Sequence, residues 1–157
     1  MGLGPSMIPA MRSMWNDADA AQIRQRIAKL RPDAPAQWGK FNAPQMVCHV
    51  TDGLKMAMGE LAVATRKLPL RYFPLKQLII YVLPFPKGAP TGPELIARRA
   101  TEWGTEIAEL ERTLDRLLSQ RGRNTWPDHP AFGSMSRQTL GVLVYRHADH
   151  HLRQFGV

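Results

Sequence analysis

The sequence predicts an all-α protein, a four-helix bundle with a long loop-rich connection between its second and third helices. Apolar residues recur at three- and four-residue intervals in four separate stretches. Helix-start chemistry stands before these stretches, and the sustained apolar/polar alternation of a sheet is missing. A chain of 157 residues with 44% hydrophobic content is long enough to bury one substantial core. Residues 15–157 are therefore read as a single domain, and residues 1–14 as a flexible N-terminal tail.

The first helix is expected from about Asp17 to Leu30, with Ala20, Ile23, Ile27 and Leu30 inward. Asn16 or Asp17 caps it and Pro32 lies just past its end. Trp38 and Gly39 fall in the following loop. The second helix starts after Asn42, with Pro44 in its first turn and Gln45 placed to complete a capping box. Its inward stripe runs through Met46, His49/Val50, Gly53/Leu54, Ala57 and Leu61.

Residues 66–92 form the connection. Its apolar run Leu75–Leu83 is far shorter than the roughly 20 residues a membrane span needs. It reads as a short buried helix or strand-like connector, followed by a proline-rich loop across one end of the bundle. The third helix is expected to open at Thr91-Gly92-Pro93-Glu94, read as a capping box, and to close at Gly122. Ile96, Ala100, Trp103, Ile107, Leu110, Leu114 and Leu117 give it a 4-3-4-3 stripe typical of bundle packing. Arg98, Arg99, Glu102, Glu106, Glu109, Arg112 and Arg116 form its opposite face, read as a solvated salt-bridge surface. The fourth helix spans about Ser136 to Phe155.

The chain carries 21 basic and 13 acidic residues, a net charge of +8 that favours anionic partners. Nucleic acid is not expected, because helix-turn-helix and zinc-finger patterns are missing and the basic residues are scattered. Membrane association is not expected either. Cys48 is the only cysteine, which excludes an intrachain disulfide and a thiolate cluster and fits a cytoplasmic setting. The segment MGLGPSMIPAM lacks a basic leader, and its loose match to a myristoylation pattern at Gly2 and Ser6 is outweighed by the flexible-tail reading.

The chemistry gathers near the end of the sequence, where three of the five histidines fall within residues 145–155. On a helix, residues four apart are offset by only roughly 40°. His147 and His151 therefore share a face with Gln154 close to it, and that face continues an apolar stripe through Leu140 and Leu143/Val144. His49 lies on the inward face of the second helix. Three converging imidazoles would make a three-histidine site suited to Zn, Ni or Fe, with positions left for water or substrate. The same residues could equally be core histidines held by backbone carbonyls.

Around them stand further candidates. His150, offset about 60° the other way from His147, reads as a neighbour of the ligands or as exposed. Gln154 is placed to orient a ligand or a bound water. His129, beside Asp128 in the loop before the fourth helix, is an acid/base candidate or a turn stabiliser. Lys87 is a candidate for steering an anionic substrate, or a charged loop tip. Cys48 reads as buried packing. Asp52, three residues after His49, reads as a partner of His49 or as solvent-facing.

His49 in MVCHVTDGL, then His147 and His151 in HADHHLRQ with Gln154 trailing, resemble the DinB/YfiT-like superfamily of metal-binding four-helix proteins. WGKFN before the second helix, PFPKG with TGPE in the middle and HPAFG before HHLRQFG resemble one branch of uncharacterised bacterial proteins. The resemblance covers about Trp15 to Phe155. It implies an up-down-down-up bundle with a divalent metal held by His49, His147 and His151. Superfamily activities include thiol S-transfer with bacillithiol, mycothiol or glutathione, and a thiol-dependent maleylpyruvate isomerisation. The resulting expectation is a divalent-metal-dependent enzyme of thiol S-transferase type, acting on a small molecule with a low-molecular-weight thiol. A metal-dependent hydrolase and a non-catalytic metal-binding or stress-associated protein stand as alternatives. The apolar connector and spare helix faces leave room for a homodimer.

Overall fold

The computed structural model describes residues 11–157. Among the described residues the architecture is all helical, with one isolated bridge between His129 and Gly133 in place of any strand. Four long helices make the bundle: α1 (Asp17–Ile27), α2 (Ala43–Met58), α4 (Trp103–Ser119) and α5 (Arg137–Gln154). Between α2 and α4 lies the short α3 (Leu75–Gln77), which passes directly into a π-helical turn over Leu78–Val82. α2 packs on α4 and α5, and α1 packs on α5. No helix of the described residues is long and apolar enough to cross a membrane.

The caps explain where the bundle helices begin. Asn16 accepts a hydrogen bond from the Asp19 amide at the head of α1. Asn42 and Gln45 exchange reciprocal bonds of 2.9 Å at the head of α2, the capping box its sequence predicts. Ser136 accepts from the Thr139 amide at the head of α5. Gly59 ends α2 with φ +84°, a left-handed conformation that costs glycine no Cβ clash. That stop leaves Leu61 outside the helix and half-buried rather than on its inward stripe.

The third long helix starts later than the sequence suggests. Thr91-Gly92-Pro93-Glu94 forms no capping box: Pro93–Leu95 is a single 3-10 turn, and Glu94 instead accepts from the Ala64 amide at 3.1 Å. Glu102 caps α4 through both carboxylate oxygens, to the amides of Gly104 and Thr105. Ile96, expected to open the apolar stripe, is 54% exposed. The displacement has a physical cause in Arg98, which is drawn off any helix to meet two buried carboxylates.

Those carboxylates correct the reading of a solvated face. Glu106 is 2% exposed and accepts from Arg98 at 2.8 Å and from the Thr101 amide and hydroxyl, each at 2.8 Å. Asp52 is buried beside it, 3.3 Å from Arg98 Nε. Burial alone would push the Glu106 carboxyl up, but the bonds from Thr101 and Arg98 outweigh it and hold the group at about 2. Arg98 thus fastens residues 96–101 to both α2 and α4.

Two apolar clusters result. Met14, Ile23, Met46, Val47, Leu114 and Leu117 are among the fully buried side chains of the bundle core. Each such residue contributes about 1.5–3 kcal/mol of burial. A smaller cluster joins Ile80 of the π-helical turn to Phe132, Val142 and Leu143. Residues 1–10, including the myristoylation reading at Gly2 and Ser6, lie outside the described residues. Residues 11–14, assigned above to the tail, reach the bundle: Met14 is 1% exposed and its amide donates to the Gly141 carbonyl at 3.0 Å.

Candidate metal centre

α2 carries His49, and α5 carries His147 and His151 one turn apart. One ring nitrogen from each lies within 4.8 Å of the others, so the three can hold a metal ion. The hydrogen bonds on the remaining nitrogens settle which atoms face inward. His49 Nδ1 is 3.1 Å from the Leu95 carbonyl, which can only accept, so Nδ1 carries the proton and Nε2 keeps its lone pair.

The same logic reaches His151 through Gln154. The Gln154 amide nitrogen donates to the Trp38 carbonyl at 2.8 Å, which turns its oxygen toward His151 Nδ1, also at 2.8 Å. His151 therefore donates from Nδ1 and presents Nε2 as a free base. His147 Nε2 completes the group, 3.1 Å from His49 Nε2. Two imidazole lone pairs cannot face each other at that distance without a proton or a cation between them. Tetrahedral Zn–N bonds of 2.0–2.1 Å would put ligand nitrogens about 3.3 Å apart. The donor set and its spacing fit a divalent transition metal.

Electrostatics act the same way. Burial, reinforced by the neighbouring imidazoles, pushes His151 down to about 3 and His147 well below the ordinary histidine range. Burial also lowers His49. All three are thus neutral at pH 7, the state that ligates metal. Phe41 covers the group from the loop side, its ring 5.0 Å from that of His49. Gly39 lets that loop come close. Its φ is +80°, and a Cβ there would sit 2.6 Å from the Gln154 amide nitrogen.

Residues 11–156 match the family DUF1569, described as a protein of unknown function. The chain belongs to the DUF1569 family. No curated protein and no solved structure matches it.

In this DUF1569 chain the three histidines open onto a cavity of about 880 Å³, with Leu54, Phe132, Leu143 and Val144 in its walls. The loop Leu83–Pro90 supplies much of its rim. His150 lines this space beside Trp38 and Phe85, with ring centroids 5.6 and 6.0 Å away. Lys87 lies outside the lining, its ammonium 4.4 Å from the centre of the Trp38 ring, and so ties the rim loop down by a cation–π contact. His129 also lines the cavity, but its Nδ1 accepts from the amides of Ala131 and Phe132 at 3.1 and 3.2 Å. That bonding requires the neutral ring, and burial lowers His129 to about 4. Cys48 is buried away from these residues, and burial raises its thiol to about 11, which removes it as a nucleophile.

Arg146 is a contributor that the sequence reading missed. It donates to the carbonyls of Ile79 (2.9 Å), Ile80 and Leu83, and its guanidinium lies 4.8 Å from the centre of the Phe85 ring. A cation here satisfies carbonyls at the end of the π-helical turn. The only sequence signal is an arginine next to His147, facing a connection that contains no acidic residue between 61 and 93. The partners of His49 and Gln154, the carbonyls of Leu95 and Trp38, leave no side-chain signature at all.

Proposed function

We propose that this DUF1569 protein is a divalent-metal-dependent enzyme whose ion is held by His49, His147 and His151. The observation that carries the reading is the convergence of three neutral imidazole nitrogens at the floor of a large cavity. A closed, structural site would need a fourth protein ligand. Gln154 has both ends of its amide engaged, and His129 spends Nδ1 on two backbone amides. The coordination left open therefore faces the cavity, the arrangement typical of catalytic rather than structural sites.

When bound, a Zn, Ni or Fe ion would supply Lewis acidity and lower the pKa of a thiol or water placed at the open position. The chain's own residues hold that geometry: Leu95 and Gln154 fix the tautomers of His49 and His151, and Phe41 excludes water from one side. The resemblance to DinB/YfiT-like proteins supports a thiol S-transferase type of reaction. A hydrolytic reaction at the same open position, with water in place of the thiol, is the second reading.

Cobalt substitution tests the open position. The Co²⁺-loaded protein is expected to show the intense visible bands of a four-coordinate site, and added thiol should produce a sulfur-to-cobalt charge-transfer band. A four-coordinate spectrum that thiol leaves unchanged would overturn the open-site reading.

A further inference from the structure

We infer that the cavity selects an amphiphile: a medium-chain or aromatic apolar body carrying one small anionic or thiol head that reaches the metal. The inference rests on the metal reading above and adds to it the chemistry of the rest of the substrate. The walls decide it. Leu54, Ile79, Phe85, Phe132, Leu143 and Val144 present hydrocarbon over most of the 880 Å³ space. Among the described residues, no aspartate or glutamate lines it, and the only lysine that does is Lys40.

A substrate rich in hydroxyls or amides needs polar partners along its length, because each buried group left unpaired costs about 1–3 kcal/mol. The cavity has few to give. Among the described residues, the polar lining other than the imidazoles consists of Thr91, Lys40, Gln154 and the Trp38 indole N–H. Gln154 is already spent on His151 and Trp38, and His49 Nδ1 and His129 Nδ1 are spent on backbone groups. Sugar-bearing or peptide-bearing thiols are therefore poor occupants of the inner cavity. A hydrocarbon body loses nothing there.

The head belongs at the histidine end. The imidazoles gather there, and Trp38 Nε1, a buried indole donor without a partner among the described residues, stands on the same side with its ring 5.6 Å from His150. Lys87 above Trp38 and Lys40 in the lining add positive charge at this end, and no lining carboxylate opposes an anionic head. Pockets of this kind, mostly apolar with a few convergent polar groups, hold small molecules by burying most of their surface.

The test is calorimetric titration of the full-length Zn²⁺-loaded protein with straight-chain alkyl hydroxamates from two to ten carbons. The metal-free protein is titrated with the same hydroxamates, which gives the gain from zinc, and with the matching 1-alkanols, which report the cavity without the head-group contact. Affinity is expected to rise about threefold to fourfold per methylene in both series, with zinc strengthening the hydroxamates at every length. Chain-length dependence in both would support the amphiphile assignment. Flat series beside zinc-dependent binding of acetohydroxamate would overturn it while leaving the metal reading intact. Chain-length dependence with no gain from zinc would overturn the metal reading and leave the apolar selection supported.

Discussion

The four bundle helices and the connection between α2 and α4 are built by different means. In the bundle, side chains at helical spacing bury against one another, and the caps are local pairs such as Asn42 with Gln45. In the connection, regular hydrogen bonding is brief, and two arginines do the fastening, Arg98 from within the connection and Arg146 from α5. Arg98 reaches Asp52 and Glu106, and Arg146 reaches the carbonyls of the π-helical turn. The bundle sets where the histidines stand. The connection sets the cavity they face, and through Leu95 it also sets the tautomer of one of them. A rigid framework can thus carry a metal site while a separately fastened segment shapes access to it.

The strongest way to break that division is in the bundle core. Leu114→Ala should cost about 3 kcal/mol of unfolding free energy, since the residue is fully buried and the cavity left cannot collapse completely. Urea unfolding measures it, and metal should be lost only along with the fold. A cost under 1 kcal/mol would show the core to be far looser than this packing.

Acid should unfold both regions together. Histidines held neutral by burial, His129 at about 4 and His151 at about 3, bind protons in the unfolded chain near 6.5 before they do in the folded one. Their contribution is fully present above about pH 6.5 and is lost as pH falls toward those values. Glu106 and Glu109, both at about 2, extend the loss below about pH 4.5. With about 2.5 kcal/mol from each of the two histidine rings, the metal-free protein should lose on the order of 5 kcal/mol between pH 7 and pH 4.5, and His129→Asn should flatten the slope. Equal stability at the two pH values would contradict the buried neutral rings.

Gln154→Leu sharpens the comparison on the bundle side. The substitution removes the acceptor for His151 Nδ1 and the tie to Trp38, and should weaken metal binding about 10–100-fold while costing about 1–3 kcal/mol of stability for the buried groups left unpaired. Competition with a chelating dye reads the affinity. An unchanged affinity would mean that His151 needs no orienting partner.

Arg146→Met is the mildest change and isolates the connection. It should cost only about 1 kcal/mol globally while speeding amide exchange over residues 78–83, with metal affinity kept. Exchange rates unchanged across that segment would mean that the second apolar cluster, not the arginine, holds it.

These two modes of construction also explain what the sequence could and could not disclose. Spacing placed Ile23, Met46, Leu114 and Leu140 in the core, and the i, i+4 pair with His49 named the three residues that converge. Caps made of adjacent side chains were readable at Asn16 and Asn42. Contacts between a charged side chain and a distant partner were not. Glu106 looked like one of a row of surface charges, because nothing local reveals that Arg98 and Thr101 fold over it. Thr91 and Glu94 had the right spacing for a cap but not the right continuation, since Glu94 serves Ala64 instead. Asp52 was missed for the same reason as Glu106. Backbone acceptors are written in no residue type, so the roles of Leu95 and Trp38 appear only in three dimensions.

Metal content of tag-free protein, purified without chelators and measured by mass spectrometry beside a His147→Ala/His151→Ala variant, tests the centre most directly. Near one Zn, Ni or Fe per chain is expected in the parent, and little in the variant, with both showing the same helical circular dichroism. A parent free of metal, and still free after incubation with each ion, would contradict the metal centre and leave His49, His147 and His151 as packed core histidines.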